Sequence, residues 1–160
     1  NLSAEDVLNG NNDAAVGGEG AAFFSVTQQP LTDKYIRIKE LDIFKADEAV
    51  AIEKVKLFAS KHRDIDVVIS GANGNTKYAE FYNRVKTEIF PHAAHAMFKH
   101  CCGDYPVASS FALGMLFEAV MKGGLPEFVY TEKAAAQLKN VVLLNNFGSY
   151  YSCWLLELPV

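Results

Sequence analysis

Apolar positions along this chain change period several times, and each change predicts an element. Ala21-Ala22-Phe23-Phe24-Ser25-Val26 is a short run suited to a buried strand, and Gln28-Gln29-Pro30-Leu31-Thr32-Asp33 after it reads as a turn. Over residues 35–41 (YIRIKEL) apolar and polar positions alternate strictly, with Ile36 and Ile38 on one side. That predicts a half-buried strand, paired with the preceding run as a hairpin. From residue 46 to 62 the period becomes 3.6. Val50, Val55, Leu57 and Phe58 fall toward one side and Glu48, Glu53, Lys54 and Lys61 toward the other, which predicts a surface helix.

The second half is more apolar. Asp66-Val67-Val68-Ile69-Ser70 is a continuous buried-strand run, followed by the loop Gly71-Ala72-Asn73-Gly74-Asn75 and a helical pattern over residues 77–88. Small and apolar residues from 107 to 121 predict a helix buried nearly all round, with Pro106 at its first turn and Gly123-Gly124 closing it. Two last strands, at residues 141–144 and 150–156, are joined by Asn145-Asn146-Phe147-Gly148-Ser149. The sum is about five strands and at least two long helices. Strand runs apolar on both sides predict a sheet covered on both faces, so an α/β layered single domain over residues 1–160 is expected. The polar, Asn-rich residues 1–15 read as a mobile entry segment.

Composition narrows the function classes. Lys and Arg number 15 against 19 Asp and Glu, a formal net charge of −4. A nucleic-acid or anionic-membrane surface calls for a basic excess, so neither is an expected partner. No apolar run approaches the roughly 20 residues that span a bilayer, and residues 1–20 carry no basic-then-apolar stretch. The expectation is a soluble, cytoplasmic protein. Three cysteines, two of them adjacent, make no disulfide framework and read as reduced, mostly buried thiols.

Two glycine loops invite a phosphate site. Gly17-Gly18-Glu19-Gly20 precedes a strand and so lacks a helix N-terminus, whereas the loop from Gly71 to Asn75 does open a helix but carries no P-loop lysine. A tight turn needing positive φ is the better account of the second. The densest chemical cluster is His92, His95, Lys99, His100, Cys101, Cys102 and Asp104. Its spacing matches no zinc pattern, so no metal is expected. A nucleophilic pair of Cys101 or Cys102 with His95 or His100 stays open. Lys99 and Asp104 are either a structural ion pair or a retained site.

Four pieces, in order, resemble the C-terminal half of a β-ketoacyl-(acyl carrier protein) synthase, a member of the thiolase-like fold. Gly18-Glu19-Gly20-Ala21 is similar to its strand entry, and Asp66-Val67-Val68-Ile69-Ser70 to the strand that carries its first histidine. Lys99, five residues before Asp104 with Gly103 between, is similar to its lysine before the second histidine. Asn145-Asn146-Phe147-Gly148 looks like the turn whose phenylalanine gates the acyl pocket. The family's His-Gly-Thr-x-Thr loop is replaced by the segment from Gly71 to Asn75, and Asp104 stands at the second histidine. Ser149, Tyr150 and Tyr151 replace the flexible end of the gating turn.

The resemblance therefore implies a thiolase-like half whose family positions are held by Gly71, Lys99 and Asp104, with Phe147 and Gly148 at the acyl gate and no cofactor. It implies a noncatalytic, chain-length-factor-like subunit of fatty acid, polyketide or aryl-polyene biosynthesis. Its partners would be acyl carrier protein, an active ketosynthase or a second copy in a dimer, and a missing N-terminal half bearing the nucleophilic cysteine. An active 3-oxoacyl-ACP synthase when full length is the alternative, and an unrelated α/β interaction module the second. Phe147, Tyr150, Tyr151 and Trp154 would line the acyl tunnel or dimer sheet, or simply pack between strands.

Overall fold

A computed structural model describes residues 15–159, apart from residues 63, 132, 133 and 137. The entry segment expected over residues 1–15 lies, except for Ala15, outside the described residues. Five strands form one mixed sheet: β1 (Arg37–Lys45), β2 (Val67–Ser70), β3 (Ala94–Met97), β4 (Asn140–Phe147) and β5 (Tyr150–Glu157). Their order is β1-β5-β4-β2-β3, with β3, β2 and β4 mutually parallel and β5 antiparallel to both β4 and β1. Four α-helices join them: α1 (Glu48–Ser60), α2 (Thr76–Arg84), the single turn α3 (Lys99–Cys102) and α4 (Ala108–Lys122). A π-helical turn, Val85–Ile89, prolongs α2.

The continuous apolar runs make this sheet two-faced. Val68, Val142 and Leu144 point toward α1 and α2, where Ile52, Val55, Phe58 and Phe81 meet them, while Val67, Ile69, Val141 and Leu143 point toward Ala112 and Leu116 of α4. The sheet is thus covered on both faces, as the runs predict. Asp47 starts α1 by accepting from Val50 N (2.9 Å), and Asn75 starts α2 by accepting from Lys77 N (2.9 Å). Gly123, at φ 84°, ends α4 with a bond from its N–H to Ala119 O of 2.8 Å. Asp66 Oδ2 accepts from Lys139 N and Asn140 N (3.1 and 2.7 Å), tying the start of β2 to that of β4.

Several elements differ from the expected ones. No strand forms over residues 21–26: Phe23 is 96% and Val26 81% exposed, because no sheet edge lies beside them. The expected hairpin is therefore absent, and β1 pairs with β5 instead, Leu41 opposite Trp154. Being an edge strand, β1 leaves Ile38 and Ile43 exposed and buries Phe44, which stacks on Tyr151 at 5.6 Å. On α1 the buried stripe is Ala51, Ile52, Val55 and Phe58; Val50 and Leu57 face outward. β3 has no signature in the sequence, since Ala-His-Ala-Met lacks a β-branched residue. Its outer edge is bridged by Tyr130 through Ala96, and Thr131 N donates to His95 O at 2.8 Å. Finally, α4 is not buried all round: Ala108, Ala112, Leu116 and Ala119 face the sheet, whereas Val107, Phe117 and Met121 are exposed.

Candidate functional site

The C-terminal ends of parallel strands are where α/β sheets assemble ligand sites, because the following loops converge there. Here the loop after β2, the segment after β3 and the end of β4 bring Asn73, Lys99, Asp104 and Asn146 together. Lys99 Nζ lies 2.7 Å from Asp104 Oδ1, the two side chains 1% and 17% exposed. The same ammonium donates to Asn146 O at 2.7 Å, and Asn73 Nδ2 donates to Asp104 Oδ2 at 2.9 Å. On the far side of Asn146, Tyr82 OH donates to Oδ1 (2.6 Å) and Nδ2 donates to Gly148 O (3.3 Å).

Burial sets the electrostatics. It pulls the Lys99 ammonium below its usual pKa, and the Asp104 carboxylate only partly opposes that fall. Burial likewise pushes the Tyr82 phenol well above its ordinary value, so it stays a neutral donor to Asn146. Lys99 is thus committed to Asp104 and a backbone carbonyl rather than presented to a ligand.

Gly71 follows β2 on the α4 side of the sheet, its N–H bonded to Leu144 O at 2.7 Å. A Cβ there would land on Asn145 Oδ1 and come within 3.1 Å of Asn145 Cα. Asn145 donates to Ser109 Oγ at 3.1 Å, while its own Oδ1 is buried with no partner. The turn expected in this loop is real, and the residue that needs positive φ is Gly74, at 80°. Gly148 and Ser149 form the turn of the β4–β5 hairpin, with Phe147 paired to Tyr150 at its mouth. Gly148 stands at φ 57°, where a two-residue turn of type II′ takes glycine, and Phe147 is 40% exposed. Of the neighbouring aromatic residues, Tyr150 is exposed, Tyr151 sits in the core beside Phe81, and Trp154 is half-buried on the α4 side.

The remaining members of the His/Cys cluster diverge. His95 Nε2 is 3.0 Å from Phe90 O, at the rim of a cavity of about 160 Å³ lined also by Ser70, Tyr82, Lys86, Met97 and Thr131. The His100 ring meets Phe128 edge-on at 6.3 Å, and Cys102 Sγ bonds Phe98 O and Gly103 O. Among the described residues no group of three His, Cys, Asp or Glu could hold a metal ion. Burial raises the thiol pKa of Cys101 and Cys102 and, most strongly, of Cys153, so none is a ready thiolate at neutral pH. With iodoacetamide, the exposed Cys101 should be alkylated first, the half-buried Cys102 later and Cys153 only on unfolding. Mass spectrometry of timed samples reads that order, and early labelling of Cys153 would contradict it.

The glycine segment near the N-terminus belongs to this site. Gly18 N donates to Asp104 O (3.2 Å), and Asp104 N donates to Val16 O (2.8 Å). A Cβ on Gly18 would strike the Cys102 carbonyl oxygen and lie 2.9 Å from Gly103 Cα, whereas one on Gly17 meets nothing within 4 Å. Gly18→Ala should therefore detach the strap and speed proteolysis between residues 15 and 34, at a cost of about 1–3 kcal/mol. Gly17→Ala should be neutral in the same assay. Equal cleavage of the two variants would show that the strap is not held at Asp104.

Of the residues singled out from the sequence, Lys99 and Asp104 are brought together and Gly71 lies apart from them against Asn145, whereas the Tyr82–Asn146 and Asn73–Asp104 bonds were not anticipated. Two adjacent asparagines ending an apolar run were the available signal. Comparison of the chain with family models, curated proteins and solved structures finds no match. Among the described residues no helix is long and apolar enough to cross a membrane.

Proposed function

We propose that this chain is the C-terminal half of a β-ketoacyl-synthase-like subunit that no longer condenses acyl chains and instead acts as a chain-length-factor-like partner of an active synthase and its acyl carrier protein. The observation that carries this reading is the closed Lys99–Asp104–Asn73 network at the strand ends. Decarboxylative condensation needs hydrogen-bond donors aimed at an enolate oxygen as negative charge develops on it, and loss of one such donor costs on the order of 100- to 1,000-fold in rate. At the two family positions this chain has Gly71, with no side chain, and Asp104, whose carboxylate repels an enolate. Lys99 is tied to that carboxylate.

Two coarser features support the same reading. A mixed five-stranded sheet with the helix after residue 107 laid against it is what a thiolase-like half requires. Residues 21–26 have strand-forming composition yet lie exposed, as a strand of an absent second sheet would. The test is incubation of the full polypeptide with acyl- and malonyl-carrier protein. It should release no carbon dioxide alone, and should shift product length when an active ketosynthase is added. Carbon dioxide release by this protein alone would establish the active synthase instead. Unchanged products in the mixture would remove the chain-length role.

A further inference from the structure

The chain leaves β2 and β3 toward opposite faces of the sheet. After β2 it packs α2 on the side of Val68 and Val142, whereas after β3 it lays α4 on the side of Val67 and Ile69. β2 and β3 are parallel neighbours, and their last residues, Ser70 and Met97, stand opposite each other. Where the loops of adjacent parallel strands part in this way, a crevice opens beyond the carboxyl ends, and open α/β sheets bind ligands there. The cavity of about 160 Å³ lies at that point, with both Ser70 and Met97 in its lining.

Its lining is graded from apolar to polar. Tyr82, Val85 and His95 are its buried members, and Asn83 and Thr131 its exposed ones. The buried end is fixed in place: His95 Nε2 meets Phe90 O at 3.0 Å, and Thr131 Oγ1 donates to His95 O at 3.1 Å. Ser70 Oγ bonds no other described residue. The π turn bears on the same place. It begins at Val85, and its first two residues, Val85 and Lys86, are the ones that reach the cavity. Such turns are rare and recur at functional sites.

We propose that this cavity binds a small free carboxylate, its oxygens on the Lys86 ammonium and the Ser70 hydroxyl and its short alkyl part against Val85 and Met97. Among the described lining residues Lys86 is a cation and none is an acid, which favours an anion. An ammonium carries three N–H donors, so Lys86 serves a ligand oxygen beside the contacts it keeps within the protein. The apolar side chains of Ala72, Val85 and Met97 suit a carboxylate with a short chain better than phosphate, which is polar all round. Size points the same way. The volume far exceeds the roughly 10–15 Å³ that admits one water, and it falls short of the roughly 300 Å³ at which pockets for drug-sized ligands begin. Tyr82 also lines the cavity and donates to Asn146, so the ligand would lie one side chain away from the Lys99–Asp104 network. The site does not rest on the function proposed above, and an acyl-transfer assay says nothing about it.

Titration of the isotope-labelled 160-residue chain with sodium propionate, followed by amide chemical shifts, provides the test. Saturable shifts are expected at Ser70, Val85, Lys86 and Met97, half-complete at about 1 mM or below. Propionamide has the same shape without the charge, and it should bind roughly tenfold more weakly or worse. Lys86→Met should weaken propionate binding by a similar factor, and Lys86→Arg, which keeps the cation, should retain it. Resonances away from the cavity report that each variant is folded, and the propionamide comparison needs no variant at all. No saturable shift up to about 50 mM would overturn the site. Equal affinity for propionamide, or an unaffected Lys86→Met, would overturn the role of charge. Inorganic phosphate that shifts the same amides at lower concentration than propionate would overturn the carboxylate assignment.

Discussion

Asp104→Ala is expected to lower stability by about 3–5 kcal/mol, the usual consequence of leaving one member of a buried ion pair behind. For a chain of this size that is on the order of 10 °C in melting temperature. The substitution removes both the carboxylate facing Lys99 and the acceptor for Asn73 Nδ2. Lys99 then retains only Asn146 O, 2.7 Å away, in a nearly water-free pocket. The effect should depend on pH in a defined direction. Burial already holds the Lys99 pKa below 10.5, and without Asp104 it falls further. Between that lowered value and 10.5 the unfolded chain binds a proton that the folded chain does not, so stability rises as pH rises through the window. Above pH 10 the buried Tyr82 phenol acts oppositely, because unfolding releases its proton. Urea midpoints at pH 7 and pH 9.5 should therefore converge on the wild type at the higher value. The double variant Lys99→Met/Asp104→Leu should recover most of the loss at pH 7. A pH-independent deficit that the double variant shares would mean the pair is not the source.

On the proposed function, placing an imidazole at residue 71 should fail for a steric reason. Gly71→His is expected to cost about 3 kcal/mol or more, because its Cβ already falls on Asn145 Oδ1 before the ring is placed. On the same reading the variant should still show no decarboxylation, since Asp104 is unchanged. Asn145 is the obstacle, so Gly71→His/Asn145→Ala should regain part of the stability, with a coupling of 0.5 kcal/mol or more (roughly the floor for residues in contact). Chemical denaturation of the two single variants and the double one measures it. Additive effects would show that Gly71 and Asn145 do not constrain each other. On the proposed function, this packing explains why the position cannot revert by one substitution.

What was legible in the sequence follows from how each element is stabilised. β2, β4 and β5 and helix α4 depend on runs of buried apolar residues, and Val67-Val68-Ile69 or Val141-Val142-Leu143-Leu144 announce themselves. β3 depends on position: Ala94, His95, Ala96 and Met97 become a strand because β2 offers a parallel edge, Val67 opposite Ala94. Residues 21–26 fail for the converse reason, strand propensity with no edge to join. In the site, Lys99 and Asp104 were visible as neighbours in sequence, whereas Tyr82 and Asn146 are 64 residues apart and meet only through the strand order. No periodicity encodes such a bond.

The bridge from Tyr130 across the outer edge of β3 has a consequence for self-association. Exposed strand edges are templates for sheet growth, and a stack that lengthens without limit needs two of them per molecule. With Ala96 paired to Tyr130 and His95 O taken by Thr131, the sheet keeps one open flank among the described residues, β1, studded with Arg37, Lys39 and Lys45. Two molecules meeting edge to edge would consume both open flanks at once. With the β3 edge capped, strand addition through the described edges ends at a pair while the Tyr130 bridge holds.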